Sequence, residues 1–281
     1  LNQTCYLHVD YSLYSIHELR QFKAIGAIGI SKGYDLVSVI DGGFREKLND
    51  TCLIAPSCGL YFEKMNLEPW AERDIFVLSK AHAAMGLYST LALKGIINIE
   101  ELNGYFKNNG TLPAHLDRFT GKGIEVSTGS LGHGFNMALG IAFGFKIKGS
   151  KRKVYALVGD GETQEGSIWE GALFAPTLGL DNFTAIIDYN NLQGYGRPKD
   201  ICQFEPLKSK WESFGWFAIE VDGHNHEELE KAFARNPEGK PKVIIAHTVK
   251  GKGVSFMEDK LIWHYYIVTN EIKEKALADL N

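Results

Sequence analysis

The sequence has no run of about 18 or more apolar residues, the length a membrane-spanning helix needs, so no membrane span is expected. It has little cysteine: Cys5, Cys52, Cys58 and Cys202 are its four. Five residues separate Cys52 from Cys58, a gap unlike a zinc knuckle. Free thiols in a reducing cytoplasm are the expectation. Positive charge is not in excess either. Lys and Arg number 30 against 34 Asp and Glu, for a net charge of −4. That balance gives no electrostatic case for binding nucleic acid or an anionic membrane. The stretch Leu1 to Asp10 has no basic segment followed by an apolar core, so no secretory leader is expected. No internal repeat or low-complexity tract interrupts the chain. What remains is 281 residues, 44% hydrophobic and 23% charged, enough to bury a sizeable core.

Residues 12–30 show mixed helical periodicity, and glycines, two cysteines and Pro56 break up residues 31–60. Residues 1–60 are read as a divergent, helical N-terminal segment. From 61 to 281 the pattern is that of one α/β domain with a C-terminal tail. A helix is expected over Ser79–Leu93, and a glycine- and alanine-rich one, built for close packing, over Ser130–Lys148. A strand follows at Val154–Val158, a helical stretch at Thr163–Leu178, and a strand at Phe183–Asp188. Trp216–Val221 and Lys242–His247 are further strand candidates. Short apolar strands alternating with helices predict a doubly wound, mostly parallel sheet flanked by helices. Pro176, within the expected helix, should kink or end it.

The most informative stretch runs from Gly159 to Asn191. Asp160 follows one strand and Asn190 the next, 30 residues on, about one βαβ unit. Ligands of open α/β sheets bind beyond the carboxyl ends of the strands, so both side chains should face one crevice. A carboxylate and an amide oxygen are hard ligands of the kind Mg²⁺ shares with phosphate oxygens. Gly161 allows close approach of a diphosphate, and the helix after it offers N–H groups. A lone Gly-Asp-Gly would more simply be a strand-to-helix turn with an N-capping Asp. The paired Asn-Asn at this spacing favours the ligand reading.

Gly159-Asp-Gly-Glu-Thr-Gln-Glu-Gly-Ser-Ile-Trp-Glu170 resembles the transketolase form of the thiamine-diphosphate signature. The likeness runs over about residues 61–264 and points to the N-terminal subunit of a two-chain transketolase. It implies thiamine diphosphate with Mg²⁺ or Ca²⁺ as cofactors. Asp160 and Asn190 would ligate the metal by side chain and Leu192 by its carbonyl. Gly161 and Asn190 would contact the diphosphate. Ser79-Lys-Ala-His82-Ala-Ala resembles the family's Ser-Lys-Gly-His-Ala-Ala, with His82 beside cofactor and substrate. Pro113-Ala-His115-Leu-Asp117 resembles the segment whose His touches the sugar. Ser127-Thr-Gly129-Ser130-Leu131-Gly-His133-Gly134 resembles the loop that positions the aminopyrimidine. Its His133 stands in place of Gln, either as a neutral hydrogen-bonding substitute or as a new titrating group. Thr248-Val-Lys250-Gly-Lys-Gly-Val-Ser-Phe-Met-Glu258 matches N-terminal subunits of two-chain transketolases and places Lys250 near the cofactor. Trp263-His264-Tyr265 replaces Trp-His-Gly, with His264 near diphosphate and substrate. Upstream, Tyr34 replaces a family His that helps move substrate protons.

The resemblance implies transfer of a two-carbon ketol unit from a ketose or ketose phosphate to an acceptor aldehyde. His82, His115 and His264 would be the acid–base and hydroxyl-binding groups. Glu165 and Glu170 match acids at the family's dimer interface; they are equally well read as ordinary helix-surface acids. The pyrimidine-binding domain, with its essential Glu, would come from a separate C-terminal subunit in an α2β2 assembly. Two other readings stay open: delivery of the two-carbon unit to a non-sugar acceptor in specialised metabolism, and a degenerate non-catalytic subunit.

Overall fold

The computed structural model describes residues 72–93, 95–121, 123–264 and 269–280. The expected N-terminal segment 1–60, with Tyr34 and the cysteines at 5, 52 and 58, lies outside the described residues, as does Tyr265. Cys202 is a free, exposed thiol.

The described residues form one sheet of five parallel strands: β1 (Ile75–Leu78), β2 (Val154–Gly159), β3 (Phe183–Tyr189), β4 (Phe217–Asp222) and β5 (Lys242–His247). Their order is β1-β2-β3-β5-β4. Strands covered on both faces read as unbroken apolar runs, and β2 and β3 are buried along nearly their whole length. Their side chains alternate between two cores. Val154, Ala156 and Val158 of β2 join Phe183, Ala185 and Ile187 of β3 on one face. Tyr155, Leu157 and Ile186 belong to the other. Helices α2 (His133–Ile147), α3 (Gly166–Thr177) and α5 (Leu207–Ser213) cover the first face. Helices α1 (Ala84–Leu93) and α6 (His226–Ala234) cover the second. Each fully buried Leu, Ile, Val or Phe contributes about 1.5–3 kcal/mol of transfer free energy, so these two layers hold the sheet between its helices. A short α4 (Pro198–Ile201) precedes α5, and α7 (Asn270–Leu280) ends the described chain. The doubly wound parallel sheet is the fold expected from the alternating pattern.

Several local expectations change. Ser79 and Lys80 are not helical: a 3-10 turn spans Ala81–Ala83 and α1 begins only at Ala84. The Ser79 and Lys80 amides are drawn back toward the Leu157 carbonyl of β2, which prevents a helical start there. The stretch read as one helix from 163 is a 3-10 turn, Gly161–Gln164, then α3, with Glu165 extended between them. Pro176 lies in the last turn, and α3 stops one residue later. Close packing of α2 holds at Gly134, Ala138 and Ala142 but not at Gly140 or Gly144, where an added Cβ would meet nothing. β1 is a four-residue run whose length carries too little periodicity to single it out.

A buried lysine closes the far end of the sheet. Lys242 Nζ donates to the carbonyls of Ala232 (3.0 Å), Phe233 (2.9 Å) and Arg235 (2.7 Å) at the end of α6. Burial pushes this ammonium down to about 7. Three acceptors nevertheless require three N–H bonds, and the negative end of a helix favours the cation, so the charged form is the one held. Lys242→Met is expected to destabilise the chain by about 2–4 kcal/mol in urea unfolding, because it leaves those carbonyls without their donor.

Candidate active site

The carboxyl ends of the strands converge on one cluster. β2 and β3 pair in register with Gly159 opposite Asp188, so Asp160 and Asn190 emerge side by side. Both are 2% exposed. The Asp160 carboxylate accepts the N–H of Gly161 (2.6 Å) and that of Asn191 (2.6 Å), which ties the two strand ends together. Asn190 Oδ1 accepts from Leu192 N (2.8 Å). Asn191 is held at φ 60°, a left-handed turn that Asn tolerates better than most residues. That turn reverses the chain so that buried Leu192 follows directly on the Asn190 side chain. The donor set of one carboxylate, one amide oxygen and one main-chain carbonyl suits a hard divalent cation and leaves ligand positions for diphosphate oxygens. Groups of three or more His, Cys, Asp or Glu with metal-holding geometry, the softer zinc-like alternative, are absent among the described residues.

Beside Asn190 sits a buried ion pair that the sequence reading did not identify. Lys80 Nζ donates to Asp188 Oδ2 at 2.8 Å, with side chains 1% and 0% exposed. Thr248 Oγ1 donates to Asp188 Oδ1 at 2.6 Å, and Asn190 Nδ2 approaches Asp188 Oδ2 at 3.4 Å. Asp188 thereby joins the ends of β1, β3 and β5 and touches the amide of Asn190.

The predicted histidines come together. The rings of His82 and His264 lie 6.2 Å apart, centre to centre. Burial pushes the His82 imidazole well below its ordinary value, and Lys80, His264, Lys250 and His115 add electrostatic pressure the same way. Burial also lowers His115, although much of its surface is open. An imidazole kept neutral can accept a proton or a hydroxyl hydrogen near pH 7. Lys250 is completely buried. Gly129 backs onto His115: a Cβ there would lie 3.5 Å from the imidazole Cδ2. Thr128 anchors the same loop through its hydroxyl to the Leu78 carbonyl (3.0 Å). Gly129, Ser130 and His133 are exposed, and Leu131 is half-buried.

The segment carrying Lys250 is clipped at two points. Arg197 makes a two-pronged pair with Asp259 (2.7 and 2.6 Å) and donates to the Asn191 carbonyl (3.1 Å). On the other side, His224 Nε2 accepts the Val249 N–H at 2.8 Å. An accepting Nε2 fixes the neutral ring with its proton on Nδ1. Burial lowers His224, with Lys252 and His226 acting the same way and Asp222 and Glu258 opposing. A histidine whose folded pKa lies below its unfolded value takes up its proton more readily when unfolded. Stability is therefore full above about 6.5 and is lost as pH falls below it. Thermal unfolding is expected to show this loss in the wild type and a flatter acid limb in His224→Asn, whose amide oxygen still accepts from Val249.

Glu165 is exposed at the extended N-cap of α3, with its Cβ 3.1 Å from where a Cβ on Gly132 would lie, and Glu170 is exposed on α3 with Leu173 (62% exposed) and Phe174 (50%). Glu162, two residues past Asp160, is by contrast buried in the cluster, a position the sequence pattern did not mark.

A parallel α/β sheet with a carboxylate and an amide at adjacent strand ends, close to buried lysines and to histidines, is the arrangement that a metal–diphosphate site calls for. Residues 60–271 match the family described as transketolase, thiamine diphosphate binding domain, and the chain belongs to that family. It is 43% identical over 227 residues to a 6-deoxy-6-sulfo-D-fructose transketolase subunit, SqwG, of Clostridium sp. (strain MSTE9), covering 79% of this chain and 82% of that one. It is 42% identical over 226 residues to an apulose-4-phosphate transketolase subunit of Actinobacillus succinogenes, with the same two coverages, 79% and 82%. The transketolase structure from Campylobacter jejuni superposes with a TM-score of 0.77 at 29% identity, over 95% of this chain and 43% of that one.

Proposed function

We propose that this chain is the diphosphate- and metal-binding subunit of a two-chain transketolase, moving a two-carbon ketol unit from a ketose or its phosphate to an acceptor aldehyde. The observation that carries the reading is the Asp160–Asn190 pair, buried side by side and joined by the Asn191 amide. Asp160, Asn190 and the Leu192 carbonyl would hold Mg²⁺ or Ca²⁺. Gly161, Asn190, Lys250 and His264 would hold the diphosphate of thiamine diphosphate, and Gly129, Ser130 and Leu131 would border its aminopyrimidine. When bound, the cofactor supplies a nucleophilic carbon and an electron sink for cleaving a ketose next to its carbonyl.

The chain's own groups then do limited tasks. His82, half-buried and neutral, accepts a hydroxyl proton from the sugar at a ring nitrogen. His115 and His264 orient hydroxyls, and His82 returns the proton it accepted. The buried Lys250 offsets diphosphate charge. Burial of Lys250 strengthens its interaction by excluding water.

The partner would supply a pyrimidine-binding domain and its Glu. Relatives whose names call them subunits support a separate chain, and the exposed loop Gly129–Ser130 is a surface such a domain would cover. The exposed face of α3 with Glu170, Leu173 and Phe174, and exposed Glu165 just before it, supports association of two such units into α2β2. The relatives' names both specify sugars, which favours a sugar among this chain's substrates.

The test mixes this chain with a pyrimidine-binding subunit, thiamine diphosphate and Mg²⁺, then adds a carbon-13-labelled ketose with candidate aldehydes. Transfer of two labelled carbons to an aldehyde, in the mixture only, is the expected result. Tight cofactor binding without transfer to any aldehyde would move the reading to a non-sugar acceptor. Absence of cofactor binding in the mixture would end it.

A further inference from the structure

The N-terminus of α2 has no cap of its own. Its N-cap is Gly132, in a left-handed conformation (φ 81°) and without a side chain to accept the first free amides. His133 N–H reaches the Ser130 carbonyl at 3.3 Å, and two further amides are satisfied from other segments. Phe135 N–H donates to Ser79 Oγ at 2.9 Å, and Gly132 N–H donates to Glu162 Oε1 at 2.8 Å. Ser79 Oγ–H in turn donates to the same Glu162 oxygen at 2.5 Å, and Gly159 N–H reaches Glu162 Oε2 at 3.2 Å. Glu162 is 2% exposed and Ser79 0%. The fit is tight: a Cβ on Gly134 would lie 2.6 Å from the Ser79 Cα. One buried carboxylate thus collects donors from the end of β1, from the end of β2 and from the loop that leads into α2.

We infer that Glu162, with Ser79, is a positioning residue that sets the 129–132 loop against the Gly159–Gly161 turn, and so fixes the spacing between two segments of the site. The geometry of this link does not depend on the proposed function; its consequence for the cofactor rests on that reading, in which one segment borders the aminopyrimidine and the other the diphosphate. A helix capped by its own Ser or Asp would keep its N-terminus wherever it lay. A helix capped from β1 and β2 keeps it only while those strand ends stay in place. Loop and turn therefore move together or not at all.

Substitution separates this role from plain stability. Glu162→Ala removes every acceptor. Glu162→Gln keeps a carbonyl for Ser79 and Gly132 and loses only the contact with Gly159. Lys242→Met, at the opposite end of the sheet, serves as a control of matched stability loss. In hydrogen–deuterium exchange on the chain alone, Glu162→Ala is expected to speed exchange of the amides of Gly132 and Phe135 about tenfold or more. Glu162→Gln restores slow exchange there, and Lys242→Met leaves it slow. In the two-chain mixture, the Kd for thiamine diphosphate rises about tenfold in Glu162→Ala and stays near wild type in Lys242→Met. If Glu162→Ala does not fold, Ser79→Ala carries the same test, with faster exchange at Phe135 expected. Exchange at 129–136 no faster in Glu162→Ala or Ser79→Ala than in Lys242→Met overturns the inference, as does an equal loss of cofactor affinity in the control. A wild-type mixture that binds no cofactor, with the exchange pattern as expected, overturns the proposed function and leaves the positioning role standing.

Discussion

Asp160→Ala is expected to weaken Mg²⁺-dependent binding of thiamine diphosphate to the two-chain mixture by more than about 100-fold. Loss of a residue that merely orients a metal ligand already costs about 10–100-fold in comparable sites, and Asp160 would be a ligand itself. It is also the only carboxylate in the proposed donor set; Asn190 and Leu192 offer neutral oxygens. The same side chain holds the Gly161 and Asn191 amides, so the substitution loosens the turn that presents the other two ligands. Two losses therefore combine, and Asp160→Asn separates them: it keeps one oxygen for those amides but not the charge. Calorimetry measures affinity, and thermal unfolding supplies an independent reading. A ligand at 100 times its Kd stabilises the folded state by about 2.7 kcal/mol. The wild-type mixture should gain that increment with cofactor and Mg²⁺, and Asp160→Ala should gain none. Without cofactor the two should unfold similarly, because relief of a buried carboxylate offsets two weakened hydrogen bonds. An Asp160→Ala mixture that retains cofactor-dependent stabilisation would remove Asp160 from the donor set.

The sheet was legible in the sequence because its central strands are apolar on both faces and end in Gly-Asp-Gly and Asn-Asn. Those two endings also located Asp160 and Asn190, since residues just past parallel strands share one crevice whatever the helices between them do. Less was legible where burial overrides local pattern. Ser79 and Lys80 sit at the head of a helical period, yet their bonds to β2 and to Asp188 hold them out of the helix. Glu162 reads as one acid among several in Glu-Thr-Gln-Glu, and nothing in its neighbours separates it from exposed Glu165. Only the return of Ser79 and Gly132, distant in sequence, makes it a buried acceptor. Asp188 likewise looks like the polar end of a strand. A period-2 reading gives its face, but the lysine that neutralises it lies on a different strand end. The histidine positions came from the family resemblance; what the structure adds is the closeness of His82 to His264 and the neutral state that desolvation imposes on His82.

The buried pair beside Asn190 makes the largest claim on stability. Lys80→Met is expected to destabilise the chain by about 3–5 kcal/mol, because it leaves a wholly buried carboxylate without its cation. Asp188→Leu should cost a similar amount by stranding Lys80 and freeing Thr248. The double variant, with both charges gone, should lose much less than the sum of the two, since the penalty in each single variant is largely that of the stranded charge. Urea unfolding at constant m-value measures all three. Thr248→Val removes only one neutral donor to a charged group and should cost about 1.5–3 kcal/mol. The pair also has a functional consequence: Asp188 contacts the Asn190 amide, so the double variant can be well folded and still bind metal and cofactor poorly. A double variant that regains both stability and cofactor affinity would make the pair a structural feature without a role in the site. One that regains stability but not affinity would show that the charge at Asp188 orients Asn190. Additive losses across the double variant would mean that the two side chains act independently, against the 2.8 Å contact between them.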